Sequence, residues 1–214
     1  MLRKRRATLC VAVLALLAGC GQPTQKYGSS KADGVYFTVP YSWNEIATSS
    51  LNAYEAKSTQ DGAAEKLAMV NWQVGFSPKA KVGAKEIFGF QATDAPLAFA
   101  RVRKLFPEEI NSISYNNLRD LVVPITDWYL NPTAQTPKFT LIDDYEVVEK
   151  AARGIRTIYS FVKSGVSQTV DQTAMVSTDR STIYVFIIRC SSACYNKNKK
   201  EITAISDSFT VRGA

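Results

Sequence analysis

The sequence predicts an α+β fold built on one antiparallel sheet, and three observations support this. Residues 138–189 contain four consecutive segments rich in β-branched and aromatic residues, and the short turns between them favour hairpins. Apolar residues with helical spacing occur before and after this run, in Ser112–Tyr129 and Cys194–Phe209. Of all residues, 46% are apolar, enough to build a core. Separation of strands from helices indicates helices packed on the faces of an antiparallel sheet.

The first half of the mature chain contains two clear strands and two ambiguous segments. Gly34–Pro40 alternates, and the Pro40–Trp43 corner ends it, so a strand followed by a turn is predicted. Leu67–Ser77 alternates as well, with one face expected to be buried: Ala68, Val70, Trp72, Val74 and Phe76. Ser49–Gly62 is weakly patterned and is predicted to be a loop that can include helical turns. Ala95–Phe106 fits either a strand or a helix.

The second half has a regular order of elements. Ser112–Tyr129 is predicted to be a helix that Pro124 kinks or ends. The four strands then follow, with turn residues between them: Lys138–Glu149, Gly154–Lys163, Gln168–Thr178 and Ser181–Arg189. The helix Cys194–Phe209 has one apolar stripe, and Thr210–Arg212 is expected to be a last edge strand.

The N-terminus has the layout of a secretory signal peptide. Ala7–Gly19 carries no charge and follows directly on four basic residues at positions 3–6. As a helix this stretch would span roughly 20 Å, short of the roughly 30 Å core of a bilayer, so a permanent transmembrane helix is not expected. The stretch ends in Leu17–Cys20 (LAGC), which resembles the bacterial lipobox. That resemblance implies a diacylglycerol thioether on Cys20, removal of residues 1–19 and usually acylation of the new N-terminus. A plain signal peptide ending at a chance cysteine is the alternative.

This leader divides the chain into three parts. Residues 1–19 are the predicted lipoprotein signal peptide, residues 20–33 the lipidated cysteine and a flexible polar tether, and residues 34–214 a single domain. Cleavage would lower the net charge from +7 to +3, which is too small to argue for nucleic acid as a partner. The expected partner is the membrane, through the N-terminal lipid, and the expected location is the extracytoplasmic face of the cell membrane.

Two cysteines remain after the leader and the lipid are accounted for. Cys10 lies in the leader and Cys20 carries the lipid, which leaves Cys190 and Cys194 in an oxidising compartment. We predict a disulfide between them that pins a local bend. The alternative is a redox or metal pair, but redox motifs are typically CxxC, and two thiols without histidine make a poor metal site. No metal site is expected.

The chain has no histidine, and this excludes Ser-His-Asp and Cys-His catalysis and His-ligated zinc. Lys, Asp, Glu, Ser and Tyr remain available, but no nucleophile is coupled to a base at a diagnostic spacing. We therefore expect no catalytic residue, no cofactor and no enzymatic activity.

Two groups of residues are candidates for binding. Tyr41, Trp43 and Trp128 are most simply core or corner residues, and the sharper hypothesis is that they line a groove for a ligand or partner. The acidic run with Asp143, Asp144, Glu146 and Glu149 is interpreted as a solvated strand edge. A cation site is the alternative, although alternation along a strand sends these side chains to opposite faces.

The order of elements and three local patterns resemble the PsbP-like fold family, which includes secreted lipoproteins of the actinobacterial LpqN type. The first pattern is the strand that runs into the Pro-x-x-Trp corner, Val35–Trp43. The second is the hairpin segment Gly154–Phe161, and the third is the ending, in which the strand Ile183–Ile188 precedes a helix and then Ser206–Val211. The resemblance covers about Gly34–Val211.

This resemblance implies an α/β/α sandwich with a central antiparallel sheet flanked by helices, usually without catalytic residues. Photosynthetic members act as assembly or stabilising subunits, and other members bind protein partners. The lipobox and the Cys190/Cys194 pair depart from the family, so a photosystem role is not carried over. The expected function is that of a membrane-anchored cell-envelope lipoprotein, a non-enzymatic protein-binding or assembly module. The alternative is a receptor for a small apolar or lipidic ligand, held between sheet and helix.

Overall fold

A computed structural model describes residues 23–213. The strands are β1 Gln25–Ser30, β2 Val35–Pro40, β3 Asn44–Ile46, β4 Val70–Ser77, β5 Leu97–Lys104, β6 Phe139–Val148, β7 Ala152–Lys163, β8 Val166–Ser177, β9 Thr182–Ser191 and β10 Thr210–Val211. The helices are α1 Thr48–Glu55, α2 Ala63–Ala68, α3 Ala84–Phe88, α4 Pro107–Ser112, α5 Tyr115–Arg119, α6 Ile125–Leu130 and α7 Ser192–Asp207.

Seven strands form a central antiparallel sheet in the order β3-β4-β5-β9-β8-β7-β6. Strands β6 to β9 are joined as successive hairpins, which confirms the predicted α+β class and its run of four strands. A second, three-stranded antiparallel sheet has the order β1-β2-β10. Thr210–Val211 is thus the predicted last edge strand, and it pairs with β2.

The two faces of the central sheet carry different layers. On β5 the side chains at 98, 100 and 102 pack in one cluster with β2 and α7, whereas those at 97 and 99 pack with α1 and α3. Helices α4 and α5 lie against β7, β8 and β9 on this second face, and α6 lies beside them. The central sheet is therefore flanked on one side by α7 together with the small sheet, and on the other by α1 and α3 to α6.

Phe37 of β2 fixes the small sheet to the central one. Its ring is almost fully buried and lies 5.8 Å from the ring of Phe76 in an edge-to-face arrangement and 4.7 Å from the ring of Phe186. Phe209, just after α7, stacks on Phe186 at 5.0 Å. Edge-to-face and stacked pairs add to the free energy gained from burial. This cluster therefore holds β2, the central sheet and the segment after α7 together.

The prediction of a flexible tether over residues 20–33 is wrong for Gln25–Ser30, which is strand β1 paired along its whole length with β2. The composition is that of a linker, but the backbone groups bond to a partner strand. Gly28 allows the close approach, because a Cβ at this position would lie 2.2 Å from the ring of Phe37. The close contact with a distant aromatic residue is invisible in the local sequence.

The single helix predicted over Ser112–Tyr129 is also wrong, since this segment contains the last residue of α4, the short helix α5 and most of α6. Ser114 interrupts the pattern as an N-cap and accepts a hydrogen bond from the backbone N–H of Asn117, which starts α5. Pro124 precedes α6, as expected for a residue that cannot continue a helix. The ambiguous segment Ala95–Phe106 contains strand β5, and Ser49–Gly62 contains most of α1.

The predicted signal peptide, the lipobox and Cys20 lie outside the described residues. Between residues 23 and 213, no helix is both long and apolar enough to cross a membrane.

Cys190 and Cys194 are joined by a disulfide, in agreement with the predicted pairing. Cys190 lies near the end of β9 and Cys194 in the first turn of α7, with their Cα atoms 5.9 Å apart. Both side chains are buried in the cluster around Phe186. The bond therefore closes the tight connection between the central sheet and α7.

Reduction of this disulfide is expected to lower the free energy of unfolding by about 2 kcal/mol, because the closed loop is short and constrains the unfolded chain little. Urea unfolding with and without a reductant measures the difference. The double variant Cys190→Ala/Cys194→Ala is the control and is expected to be insensitive to the reductant. An unchanged urea midpoint after reduction, verified by a thiol assay, would contradict this role.

Candidate functional site

A cleft of about 1180 Å³ lies over β5, on the face of the central sheet opposite β2. It lies between the α1–α2 region, the end of α3 and the start of α4, and its outer rim is exposed to solvent. The cleft is lined by Tyr54, Glu55, Lys57, Ser58, Gln60, Asp61, Gly62, Ala63, Glu65, Lys66, Leu67, Phe88, Phe90, Arg101, Arg103, Phe106, Glu108 and Glu109.

An arginine on β5 forms the centre of the cleft floor. Arg101 Nη2 lies 2.6 Å from Glu55 Oε2, and its Nε and Nη2 donate to Gln73 Oε1 at 3.0 and 2.6 Å. The Gln73 side chain is fully buried, and its Nε2 donates to Asn52 Oδ1 and Glu55 Oε2 at 2.7 and 2.8 Å. The buried amide is therefore satisfied on both its donor and its acceptor side, which makes the floor rigid.

Aromatic rings surround this arginine. The Arg101 guanidinium lies 5.4 Å from the centre of the Phe88 ring and 5.2 Å from that of Phe99, both within the range of cation–π attraction. Tyr54 stacks on Phe88 at 5.7 Å and is 41% exposed. Phe90 is also exposed, with Lys163 Nζ 4.5 Å above its ring. The cleft thus offers aromatic faces to a bound molecule.

A second ion pair lies along β5, two residues from the first. Arg103 Nη1 and Nη2 donate to Glu109 Oε2 and Oε1, each at 2.7 Å, and Glu109 Oε2 also accepts from the backbone N–H of Phe106 at 2.8 Å. The hydrogen bonds from Arg103 lower the pKa of Glu109 below its usual value, against the effect of partial burial. Glu109 therefore stays ionised at neutral pH and holds Arg103 in one orientation.

The charged groups on the floor of the cleft are paired with each other. Arg101 and Arg103 are each neutralised by a carboxylate, from Glu55 and Glu109. Ser58 is the one serine or threonine among the residues that line the cleft. Its Oγ accepts a hydrogen bond from the backbone N–H of Gln60. Within residues 23–213, no cluster of three or more potential metal ligands occurs.

A separate buried ion cluster lies on the opposite face, beneath α7. Arg156 donates to both oxygens of Asp171 at 2.8 and 2.7 Å and to the carboxylate of Asp207. Asp171 also accepts from the hydroxyls of Ser206 and Tyr195 at 3.1 and 3.4 Å. Burial acts to lower the pKa of Arg156, but the bonds and charge of Asp171 hold it above its ordinary value. Because α7 supplies three of these side chains, the cluster fastens α7 to the sheet.

The candidate residues Tyr41, Trp43 and Trp128 do not form one groove. Trp43 is 2% exposed inside the cluster with Phe37, so the groove hypothesis is wrong for it and its corner packs into the core. Tyr41 is 59% exposed and lies beside Thr24, with its N–H donating to the Thr24 carbonyl at 2.9 Å. Trp128 belongs to a cluster on the other face of the sheet, beside a shallow hollow of about 240 Å³.

Asp143, Asp144 and Glu146 of the acidic run lie on β6, an edge strand of the central sheet, and Glu149 directly follows it. Asp144 departs from the solvated interpretation, because it accepts from Arg119 at 2.8 to 3.1 Å and from the hydroxyl of Thr157 at 2.7 Å. Glu146 accepts from the hydroxyl of Tyr115. These bonds fasten α5 to the edge strand.

No local pattern in the sequence predicts the cleft as a whole. The one local signal is the alternation of Arg101 and Arg103 with buried residues in Ala95–Phe106, which is readable only once this segment is known to be a strand. Nothing in the local sequence indicates that Gln73 is buried. The alternation places it on the side of β4 expected to be exposed, and in the structure α1 covers that side.

The fold and the cleft together define a class: an α+β protein with a solvent-open cleft over an antiparallel sheet. No family model matches the chain, and no curated protein sequence matches it significantly. Solved structures are similar to it in fold. One is the cyanobacterial PsbP protein CyanoP of Synechocystis sp. PCC 6803, with a TM-score of 0.49, 14% identity and coverage of 90% of this chain and 95% of that one.

Two further solved structures extend the comparison. LpqN, involved in cell envelope biogenesis of Mycobacterium tuberculosis, has a TM-score of 0.46 and 13% identity, with 87% of this chain and 89% of that chain covered. The Saccharomyces cerevisiae Ran-binding protein Mog1p has a TM-score of 0.46 and 12% identity, with 88% and 96% covered. The similar structures include a PsbP protein and LpqN.

Proposed function

We propose that this chain is a non-enzymatic binding module of the cell envelope and that the cleft over β5 receives a segment of a protein partner. The observation that carries the proposal is the floor of the cleft, where Arg101, Glu55 and Gln73 are locked together between aromatic rings. The side chains of such a floor keep one geometry before a partner binds. Its charged groups, Arg101 and Glu55, are already paired with each other.

The lining favours a protein segment over a small apolar ligand. Apolar molecules bind best in enclosed apolar pockets, whereas this cleft has ion pairs on its floor and an exposed charged rim. Covering Arg101 and Glu55 with an apolar ligand would remove their remaining contact with water without replacing it. A protein segment supplies both apolar side chains for Tyr54 and Phe90 and polar groups for the rim.

We further propose that Cys20 carries the lipid that attaches the module to the extracytoplasmic face of the cell membrane. Support comes from the LAGC tetrapeptide after the apolar leader. The disulfide between Cys190 and Cys194 suits an oxidising compartment outside the cytoplasm. Flotation of the full chain with lipid vesicles, and its loss in Cys20→Ala, tests the anchor.

A photoreactive amino acid at Lys57 on the cleft rim is expected to crosslink a discrete protein in intact cells. The matched probe position is Lys197 on α7, which lies outside the cleft. Tyr54→Ala is expected to weaken the crosslink about tenfold, as for loss of an aromatic contact worth somewhat more than 1 kcal/mol. Tyr129→Ala removes another exposed helical tyrosine and is expected to leave the crosslink unchanged.

Two results would overturn the protein-binding proposal. One is an equal set of adducts from Lys57 and Lys197, which would show chance encounter. The other is a small ligand retained by the purified chain in native mass spectrometry and lost in Tyr54→Ala, which would favour the ligand-receptor alternative.

A further inference from the structure

We infer that the outer face of the β1-β2-β10 sheet lies against the headgroup region of the bilayer, so that the binding cleft faces away from the membrane. The inference rests on the proposed lipidation of Cys20 and adds an orientation to it. Four features support it: the short sequence distance from Cys20 to the first strand, the exposed tyrosines, the cationic side chains beside them and the position of the cleft.

The reach from the anchor to the domain is short because β1 begins at Gln25. Four residues lie between Cys20 and Gln25, and the five Cα-to-Cα steps of a fully extended chain over that stretch span at most about 18 Å. A tether running to residue 33 would have let the domain turn freely at a greater distance. The pairing of β1 with β2 from Gln25 to Ser30 instead holds the small sheet close to any lipid on Cys20.

The tyrosines of the small sheet lie where this anchor would bring the membrane. On β2 the side chains of Val35, Phe37 and Val39 are buried, so alternation directs Tyr36 to the outer face. Tyr27 on β1 is 73% exposed, and Tyr41 follows the end of β2 beside Thr24, four residues from Cys20. Tyrosine is enriched at the membrane–water interface because its ring is apolar and its hydroxyl is polar.

Two cationic side chains accompany these tyrosines. The Arg212 guanidinium, which follows β10, lies 5.4 Å from the centre of the Tyr36 ring, and Lys31 is exposed in the turn between β1 and β2. Cationic side chains near a bilayer are attracted to anionic lipids, each by about 1 kcal/mol. An anionic lipid surface is the partner that matches all three features: a lipid anchor, amphipathic rings and cationic groups.

The cleft is on the far side of the central sheet from this surface. Arg101 and Arg103 project from the face of β5 that carries α1 and α3, whereas the small sheet covers the other face. With the small sheet on the bilayer, the cleft would open toward the extracytoplasmic space. A soluble or envelope-bound protein could then reach it without competing with the membrane.

The test places a fluorescent label at single introduced cysteines in the full, lipidated chain. Tyr27→Cys and Tyr41→Cys report on the small sheet, and Tyr54→Cys and Tyr129→Cys report on the cleft side and on α6. The four tyrosines are all exposed, so labelling leaves the core intact, and circular dichroism checks the fold of each variant. Each protein is reconstituted into phosphatidylcholine/phosphatidylglycerol vesicles that contain a lipid with a nitroxide headgroup.

Quenching is expected to be several-fold stronger at positions 27 and 41 than at positions 54 and 129. Adding Cys20→Ala to Tyr27→Cys should abolish that quenching, because so small a surface does not bind membranes stably without the acyl chains. Floating protein with equal quenching at all four positions, or with stronger quenching at 54 or 129, overturns the orientation and leaves the anchor and the cleft untouched. Protein that does not float overturns the anchor, and the membrane-facing surface with it.

Discussion

Replacing Asp171 with asparagine is expected to lower the free energy of unfolding by about 3–5 kcal/mol, the usual cost of removing one partner from a buried ion pair. Asp171 is 1% exposed and accepts hydrogen bonds from Arg156, Ser206 and Tyr195. Asparagine has nearly the same shape, so the loss does not come from a cavity. It comes from removing the buried counter-charge of Arg156, whose other carboxylate partner, Asp207, is largely exposed.

Urea unfolding followed by circular dichroism measures this loss. The matched control is Arg153→Ala, on the same strand as Arg156, whose side chain is 67% exposed and lies 3.8 Å from Glu146. An exposed pair of this kind contributes at most about 1 kcal/mol. Replacing both partners, as Arg156→Met/Asp171→Leu, is expected to recover much of the stability, since no buried charge is then left unpaired and Asp207, which loses Arg156, is largely exposed. A loss in Asp171→Asn no greater than that in Arg153→Ala would contradict the role of the cluster.

Phe37→Ala is expected to cost a similar amount, about 3–5 kcal/mol, because it removes a buried ring and leaves a cavity. The ring of Phe37 contacts the rings of Trp72, Phe76, Phe186 and Phe209, which belong to the central sheet and to the segment after α7. Chemical unfolding measures the change, and near-ultraviolet circular dichroism reports the packing of the remaining aromatic rings.

Tyr129→Ala serves as the control, because it also removes an aromatic ring but from a largely exposed position. Its effect is expected to stay within about 0.5 kcal/mol, as is usual for surface substitutions. If Phe37→Ala unfolded at the same urea concentration as Tyr129→Ala, the small sheet would not be held by this cluster.

These two variants act on the layer that lies opposite the cleft. Asp171 fastens α7, and Phe37 fastens β2 with its neighbours β1 and β10. A loss of partner binding in either variant would therefore accompany a loss of folded protein. Tyr54→Ala, by contrast, is expected to weaken binding with the fold intact, and comparing the three separates a stability effect from a recognition effect.

The sequence by itself predicted the elements whose signals are local. Strands β6 to β9 have alternating residues of high β-propensity and turn residues a few positions apart, so their hairpins were predicted within a few residues of their observed bounds. The pairing of Cys190 with Cys194 was predicted from cysteine counting in an oxidising compartment, and the observed disulfide agrees with it. The apolar stripe of α7 was likewise visible in the sequence.

The remaining features depend on contacts between residues far apart in the chain. Strand β1 has the composition of a linker and becomes a strand because Gly28 fits under the ring of Phe37 and because β2 offers one of its edges for pairing. The helix pattern over Ser112–Tyr129 breaks at Ser114, where a local capping bond competes with a continuous helix.

The cleft is the clearest case of a tertiary feature. Glu55, Gln73 and Arg101 come from α1, β4 and β5, and no spacing in the sequence relates them. Gln73 and Arg101 are cross-strand neighbours in the register of β4 with β5, and α1 packs above them and supplies the carboxylate. Local patterns determine which segments become strands and helices. Which polar side chains meet, and which of them remain open to a partner, follows from the register of the strands and the packing of the layers.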